Sequence, residues 1–571
     1  MRILLLAHSF NSLTQRLFDE LRHAGHEVSV ELDINDSVTA EAIAMWQPQL
    51  IVAPFLKRRI ADAVWRRHRC LVIHPGVVGD RGPSALDWAI LDGEAEWGVT
   101  VIEANGDLDG GDVWESVTFP VRDASKSSLY RNEVTEAAVL ALQRTLRRIA
   151  EGAEPASPAA IVPPPRGRLR PAMRQADRAI DWANDAGTTV LRKVRASDGA
   201  PGVLDEVLGL PVYLHGAHLE GVLHPQARPG TVIAQRDGSI LRATRDGSLL
   251  ITHLRRADGK EPGFKLPAAM LLGDRLAGIA ESPAAPDAVR DAPTWRPIRY
   301  EEAGAVGWVR FPFYNGAMGT AQCRALTEAL RAAKARPTRA IVLAGGPDFW
   351  SNGIDLNLIE AHPHPAEESL RNIEAMNDLV LEILRTDRQL TISALSGNAG
   401  AGGVFLALAA DQVLVRDGVI LNPHYRAMGN LYGSEYWTYL LPHRMEAQSA
   451  RAMMERRLPV SAKEAVALGL VDACLARDPA AFLAAVAERA AASAGAGSAR
   501  RLAAKSARRA ADEAKKPLAA YRAEELERIK LNFFGFDSSY HVARQHFVCK
   551  VAHSRTPLWL AQHRRRPVRH A

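Results

Sequence analysis

The first 150 residues alternate between two spacings of apolar positions. RILLLAH, EVSVEL, LIVAP, CLVIHPG and GVTVIEA are short continuous runs bounded by turn residues, which predicts buried strands. SLTQRLFDELRHAG, after the first run, carries its apolar residues at helical spacing and predicts an amphipathic helix. This alternation predicts a parallel sheet with helices on both faces. No GxGxxG follows the first strand, so a dinucleotide site is not expected. Further on, GLPVYLHGAHLEG and GTVIAQRDGSILRATRDGSLLITHLR pair short strands with turn residues and predict a small barrel. The last part opens with GAVGWVRFPF and RAIVLAG, alternates helices with strands, and ends in long Ala-, Arg- and Glu-rich helices.

Two stretches interrupt these patterns. Glu151–Pro171 and Glu281–Trp295 are rich in Pro and Ala and lack a pattern that would pack, so they read as linkers. The expected division is an α/β multidomain chain: a first domain over 1–150, a linker over 151–174, a barrel over 175–280, a linker over 281–294, a core over 295–480 and a helical region over 481–571. Composition alters little. Of 571 residues 47% are hydrophobic and 24% charged, and no run is long enough to span a bilayer. The apolar run of MRILLLAHSF is too short for a signal peptide. Cys70, Cys323, Cys474 and Cys549 are scattered without metal spacing, which suggests reduced thiols in a cytoplasmic protein and no metal site. The net charge of +6 is partly local, in Arg166, Arg168 and Arg170 and in the tail residues Arg564, Arg565, Arg566 and Arg569. The tail is expected to be solvated, and neither nucleic acid nor membrane is an expected partner.

The most informative stretch is CLVIHPGVVGDRGPSALDWAILDGEAEWGVTVIEANGDLDGGDVW, from Cys70 to Trp114. It sets His74 at the end of a buried strand and Asp109 in a Gly-flanked loop, where open α/β sheets build their sites. Either residue alone is more often structural; the combined run is more specific. His74-Pro75, Arg81-Gly82, Trp88-Ala89-Ile90-Leu91, Gly98-Val99-Thr100 and Leu108-Asp109-Gly110-Gly111-Asp112 resemble the 10-formyltetrahydrofolate-dependent transferases. The resemblance implies a Rossmann-like formyltransferase domain, with an oxyanion-stabilising role for His74 and proton transfer by Asp109. It also implies folate binding by Leu86, Trp88, Ile90, Leu91 and Asp107. Such roles carry weight, since positioned proton transfer contributes about 10²–10⁴-fold and an oxyanion donor about 2.7–4 kcal/mol. The family has an Asn two residues before the His, where this chain has Val72; Asn11 either substitutes for it or is a turn residue. RAIDWANDAGTTVLRKVRASDGAPG, with Asp181-Trp182 and Arg192-Lys193-Val194-Arg195, resembles the start of the C-terminal, OB-like barrel of the methionyl-tRNA enzyme, which keeps transfer RNA open as an acceptor.

GGPDFWSNGIDLNLIE, from Gly345, and SALSGNAGAGGVFLALAADQVLV, from Ser393, resemble the enoyl-CoA hydratase superfamily, or crotonase fold. The resemblance implies an oxyanion hole from the backbone N–H groups of Ile354 and Gly402, holding the thioester carbonyl of acyl-CoA. The two hydratase glutamates are replaced by Phe405 and His424, so hydration of an enoyl bond is not expected. Tyr425 and Glu435, within NPHYRAMGNLYGSEYWTYLLPHRM, are the expected replacements, with acid and base roles open between them; the other aromatic residues there read as a packed patch. The order of modules and the late segment YRAEELERIKLNFFGFDSSYHVARQHFVCK resemble the HoxX family of hydrogenase maturation proteins. That resemblance implies formyl transfer from 10-formyltetrahydrofolate to coenzyme A, followed by decarbonylation of formyl-CoA to CO. It names hydrogenase maturation proteins or the hydrogenase large-subunit precursor as partners. The competing readings are formyl-CoA hydrolysis, formyl transfer to another acceptor, and a non-catalytic maturation scaffold.

Overall fold

The computed structural model describes residues 1–161, 166–220, 226–260, 263–282 and 294–565. The chain forms two compact units, Met1–Trp295 with Ala552–Ala571, and Arg296–Val551.

The first unit opens with strands β1 (Arg2–Ala7), β2 (Glu27–Leu32), β3 (Leu50–Phe55), β4 (Cys70–His74), β5 (Glu96–Glu103) and β6 (Val113–Pro120), in the sheet order β2-β1-β3-β4-β5-β6. The helix Ser12–His23 forms as the spacing predicts: Asn11 caps it, accepting from Thr14 N at 3.0 Å, and Leu13, Leu17, Phe18 and Leu21 are buried. The sheet is not wholly parallel. The first four strands are parallel, but β5 runs antiparallel to β4 and β6 antiparallel to β5. The loop 104–112 between β5 and β6 is too short for the crossover that a parallel pair needs.

The expected small barrel consists of β7 (Val203–Val207), β8 (Leu210–Glu220), β9 (Val232–Arg236), β10 (Ser239–Ala243), β11 (Ser248–Arg256) and β12 (Leu266–Pro267). Its path is β7-β8-β11-β10-β9, with β12 on β11 and the β9 edge bridged from Gln235 to Glu281. The helix Gly187–Ala196 packs Val190, Leu191 and Val194 into its core.

The first joining segment packs, contrary to its expected behaviour. Gly167 N donates to Val78 O at 3.0 Å, Arg170 N to Arg81 O at 3.0 Å, and the Trp88 indole to Pro171 O at 2.9 Å. Backbone bonding, not apolar burial, holds it, and backbone bonding leaves no hydrophobic pattern to read. Most of the second joining segment, 283–293, lies outside the described residues. The end of the chain also differs from a solvated tail. Thr556, Leu560 and His563 cover the exposed edge of β2: Val30 N donates to Leu560 O at 3.1 Å, and His563 and Arg564 meet the buried Glu31 at 2.8 and 3.0 Å. Arg566 and Arg569 lie outside the described residues.

The second unit holds β13 (Arg299–Ala303), β14 (Val306–Phe311), β15 (Ala340–Gly345), β16 (Phe349–Ser351), β17 (Leu390–Leu395), β18 (Asn398–Gly400), β19 (Gln412–Arg416), β20 (Ile420–Asn422), β21 (Val460–Ser461) and β22 (Ala473–Leu475). A larger sheet runs β13-β14-β15-β17-β19-β22 and a smaller one β16-β18-β20-β21. The helices Pro365–Leu384 and Gly402–Leu408 pack on the same core, which includes Trp350, Phe405, Tyr425 and Tyr436. The helices Pro479–Ala494, Ser498–Lys515, Leu518–Phe534 and Ser539–Val548 close the unit. No helix among the described residues is long and apolar enough to cross a membrane.

Candidate active sites

His74 ends β4 and is buried, beside Thr100 of β5 in the register. Its Nδ1 lies 3.7 Å from Asp109 Oδ2, and its Nε2 lies 3.0 Å from Asp80 Oδ2. The loop 104–112 thus returns Asp109 to the strand end, where Asp109 Oδ2 also accepts from Gly82 N at 3.2 Å. Asp109 has φ +51°, so the loop holds a conformation that Asp adopts more readily than most residues. Gly111 lets it close, since a Cβ there would lie 1.7 Å from Glu103 O. The residues expected to hold folate are spread: Leu86 and Ile90 face the core, Trp88 and Leu91 are half-buried, and Asp107 is exposed. Val72 packs at the edge of an apolar cluster, and Asn11 is a helix cap whose oxygen accepts from Thr14 N. Sequence reasoning missed Asp80 and Arg170. The signal for Asp80 was Gly76, where a Cβ would lie 2.6 Å from Asp80 Oδ2.

In the second unit Gly402 begins a helix after Ala401, which has φ +47°. No hydrogen bond among the described residues uses the backbone N–H of Ile354 or of Gly402. Both donors therefore stand available for a carbonyl oxygen, and a Cβ on Gly353 would lie only 3.3 Å from Gly402 N. Glu435 is the carboxylate beside them. A Cβ on Gly402 would sit 2.2 Å from Glu435 Oε1, so only glycine admits the side chain there. Tyr425 donates to Glu435 Oε2 at 2.5 Å, and Ser434 N donates to the same oxygen at 3.1 Å. Phe405, in place of a hydratase glutamate, stacks on the Tyr425 ring with centroids 5.5 Å apart.

The loop that carries Glu435 is strained, with φ +61° at Glu435 and +59° at Tyr436, a conformation that costs about 1–2 kcal/mol per residue. Anchors fix it. Glu435 N donates to Asn377 Oδ1 at 2.8 Å, while Tyr436 N and Thr438 N donate to Glu525 at 2.9 and 2.8 Å. Asn377 and Glu525 come from distant helices, and sequence reasoning singled out neither. Burial pushes the Glu435 carboxyl up to about 7, against the bonds from Tyr425 and Ser434, and burial likewise pushes Glu525 up to about 7. The Tyr425 hydroxyl is raised by burial and by the facing Glu435, so it stays protonated and serves as a donor. His424 is buried, and both its ring nitrogens lack partners among the described residues; burial and Arg456 lower it to about 4. It supplies neutral packing where the hydratases have their second carboxylate.

The geometry agrees with comparisons to known proteins. The formyl transferase family matches residues 31–146, the formyl transferase C-terminal domain 172–265, and the enoyl-CoA hydratase/isomerase family 310–534. The chain is 33% identical over 219 residues to a methionyl-tRNA formyltransferase of Roseiflexus castenholzii, covering 36% of this chain and 66% of that one. It matches the crystal structure of HypX from Aquifex aeolicus in complex with tetrahydrofolic acid with a TM-score of 0.95 and 47% identity, over 99% of both chains. It is 54% identical over 568 residues to the hydrogenase maturation factor HoxX of Bradyrhizobium diazoefficiens, covering 99% of this chain and 97% of that one. With a formyltransferase site in one unit and a crotonase-like site in the other, the chain belongs to the HoxX family of hydrogenase maturation factors.

Proposed function

We propose that the chain makes carbon monoxide for [NiFe]-hydrogenase in two steps, one in each unit. In the first, the thiol sulfur of coenzyme A attacks the formyl carbon of 10-formyltetrahydrofolate. The bond from carbon to N10 breaks, and the thiol proton ends on N10. His74 and Asp109 stand at the carbonyl and move that proton. Folate as donor is supported by the relative crystallised with tetrahydrofolic acid. In the second step the Ile354 and Gly402 N–H groups hold the oxygen of formyl-CoA. Glu435 Oε1, the oxygen not engaged by Tyr425, takes the formyl proton. The C–H electron pair becomes the lone pair on carbon, the C–S bond breaks with its pair going to sulfur, and CO leaves. Glu435 then returns the proton to the thiolate, so CoA is regenerated.

The observation that carries this reading is the buried Tyr425–Glu435 pair against Gly402, where the hydratase glutamates are missing. A water-excluding site also suits a thioester that would otherwise hydrolyse. The expected location is the cytoplasm, with hydrogenase maturation proteins or the large-subunit precursor as recipients of CO. The test is CO release, trapped by ferrous haem, from purified protein given 10-formyltetrahydrofolate with and without CoA. CO that requires both is the expected result. Formate or tetrahydrofolate without CO would leave the first step standing and overturn the second.

A further inference from the structure

The segment that joins the two modules of the first unit supplies a charged group to the formyl-transfer site. Arg170 is fixed by its backbone bond to Arg81 O, and its guanidinium lies 5.7 Å from the centroid of the Trp97 ring. Its Nη1 donates to Asp92 Oδ2 at 2.6 Å, while its Nε and Asp80 Oδ1 are 3.8 Å apart; these last two atoms are buried, and neither makes a hydrogen bond among the described residues. Two such atoms are costly to bury apart and are explained as an ion pair. The other oxygen of Asp80 lies 3.0 Å from His74 Nε2, and His74 Nδ1 lies 3.7 Å from Asp109 Oδ2. Arg170, Asp80, His74 and Asp109 therefore form one continuous line.

Two glycines exist on terms set by that line. A Cβ on Gly76 would lie 2.4 Å from His74 Nε2 and 2.6 Å from Asp80 Oδ2. A Cβ on Gly167, in the joining segment, would lie 1.8 Å from Asp80 N. A carboxylate only accepts hydrogen bonds, so the contact at Nε2 puts the ring hydrogen on that nitrogen. We infer that Asp80, held by Arg170, is a positioning residue that fixes His74 as the Nε2–H tautomer. It leaves Nδ1, on the Asp109 side, as the nitrogen that moves the reacting proton. A carboxylate behind a catalytic imidazole sets its tautomer and orientation in the same way in serine hydrolases. Val72, two residues before His74, has no polar atom to share that task. The inference rests on the assignment of formyl transfer to His74 made above.

The test uses the full-length protein with 10-formyltetrahydrofolate and CoA, following tetrahydrofolate release and the ¹⁵N spectrum of the imidazoles. The His74 signals are assigned by their loss in H74A. D80N is expected to lower kcat about thirtyfold while the folate KM moves less than about threefold, since orientation of a proton carrier, not binding, is lost. Its amide donates to Nε2, so the His74 spectrum moves from Nε2–H to Nδ1–H. R170Q, which leaves Asp80 in place, lowers kcat by about three- to tenfold. Wild-type kcat in D80N, with turnover abolished in H74A, would overturn the role of Asp80 and leave the formyl-transfer reading standing. Turnover that survives in H74A would overturn that reading and this inference together. Should D80N not fold, the wild-type spectrum decides: an Nδ1–H tautomer there sinks the proposal.

Discussion

At the formyl-transfer site His74 stands between Asp80 and Asp109, with Arg170 behind Asp80, whereas Glu435 in the second unit meets a tyrosine hydroxyl, a backbone N–H and the Cα of Gly402. The first site is a run in which carboxylates alternate with a guanidinium and an imidazole. Each carboxylate there has a guanidinium or an imidazole within reach, so contact fixes its position. The second has its carboxyl in an apolar pocket, where burial pushes it up to about 7. That placement suits a group that must both take and return a proton near neutral pH. The contrast fits the two proposed reactions. Formyl transfer passes a proton between two heteroatoms that bind it readily, while decarbonylation removes one from carbon and needs a desolvated base.

Replacing Glu435 is the largest expected break in this comparison. E435Q should lower CO release by about 10²–10⁴-fold, the range for loss of a positioned proton-transfer group. Formyl transfer to CoA should continue, so formyl-CoA accumulates and is seen by chromatography. Loss of both products together would mean that the two units do not divide the chemistry. A smaller effect comes from pH. With Glu435 as base, CO release from preformed formyl-CoA should rise with pH through about 7. One unit lower, about a tenth of the carboxyls are ionised and the rate should be about a tenth of its plateau. A profile that is flat between pH 6 and pH 8 would take the base role from Glu435 and turn attention to Tyr425.

How much of each site could be read in advance follows from how far apart its parts lie in the chain. His74 and Asp109 sit in one run of sequence with their turn residues, and the structure brings them to 3.7 Å. Asp80 lies in that same run and was missed, while Arg170 depends on backbone hydrogen bonds of a Pro-rich stretch, which no apolar periodicity announces. That β5 runs against the other five strands of its sheet is likewise not marked in its strand pattern. In the second unit the Gly-rich turns and the Tyr425–Glu435 segment were readable, because glycine and positive φ constrain residue type. Asn377 and Glu525 were not. They act through the backbone of residues 435–438 from helices whose surfaces look ordinary in sequence, and Glu525 reads as one charge among many in YRAEELERIK. Burial turned it into an anchor, and burial is decided by the whole fold.

The smallest expected effect is on stability, and it separates the two environments without any assay of catalysis. Glu435 titrates near 7 in the fold against an ordinary 4.5. Its neutral form is the one the pocket accepts, so the stability it contributes is fully present below about pH 4.5. As pH rises the unfolded chain ionises first, and stability is lost until the folded carboxyl ionises near 7. The slope is about 1.4 kcal/mol per pH unit, which makes about 3 kcal/mol at the most over that window. E435Q has no proton to lose. It should therefore melt several degrees above the parent at pH 8, on the scale of about 2–4 °C per kcal/mol for a unit of this size, and close to it at pH 4.5. Glu525 is present in both chains and cancels apart from the repulsion that the Glu435 charge exerts on it. An equal difference in melting temperature at the two pH values would mean that the fold leaves the carboxyl at its ordinary value, and E435Q melting relatively lower at pH 8 would mean that the pocket stabilises the charged carboxylate. In either case Glu435 would lack the raised value that a proton carrier near neutral pH requires.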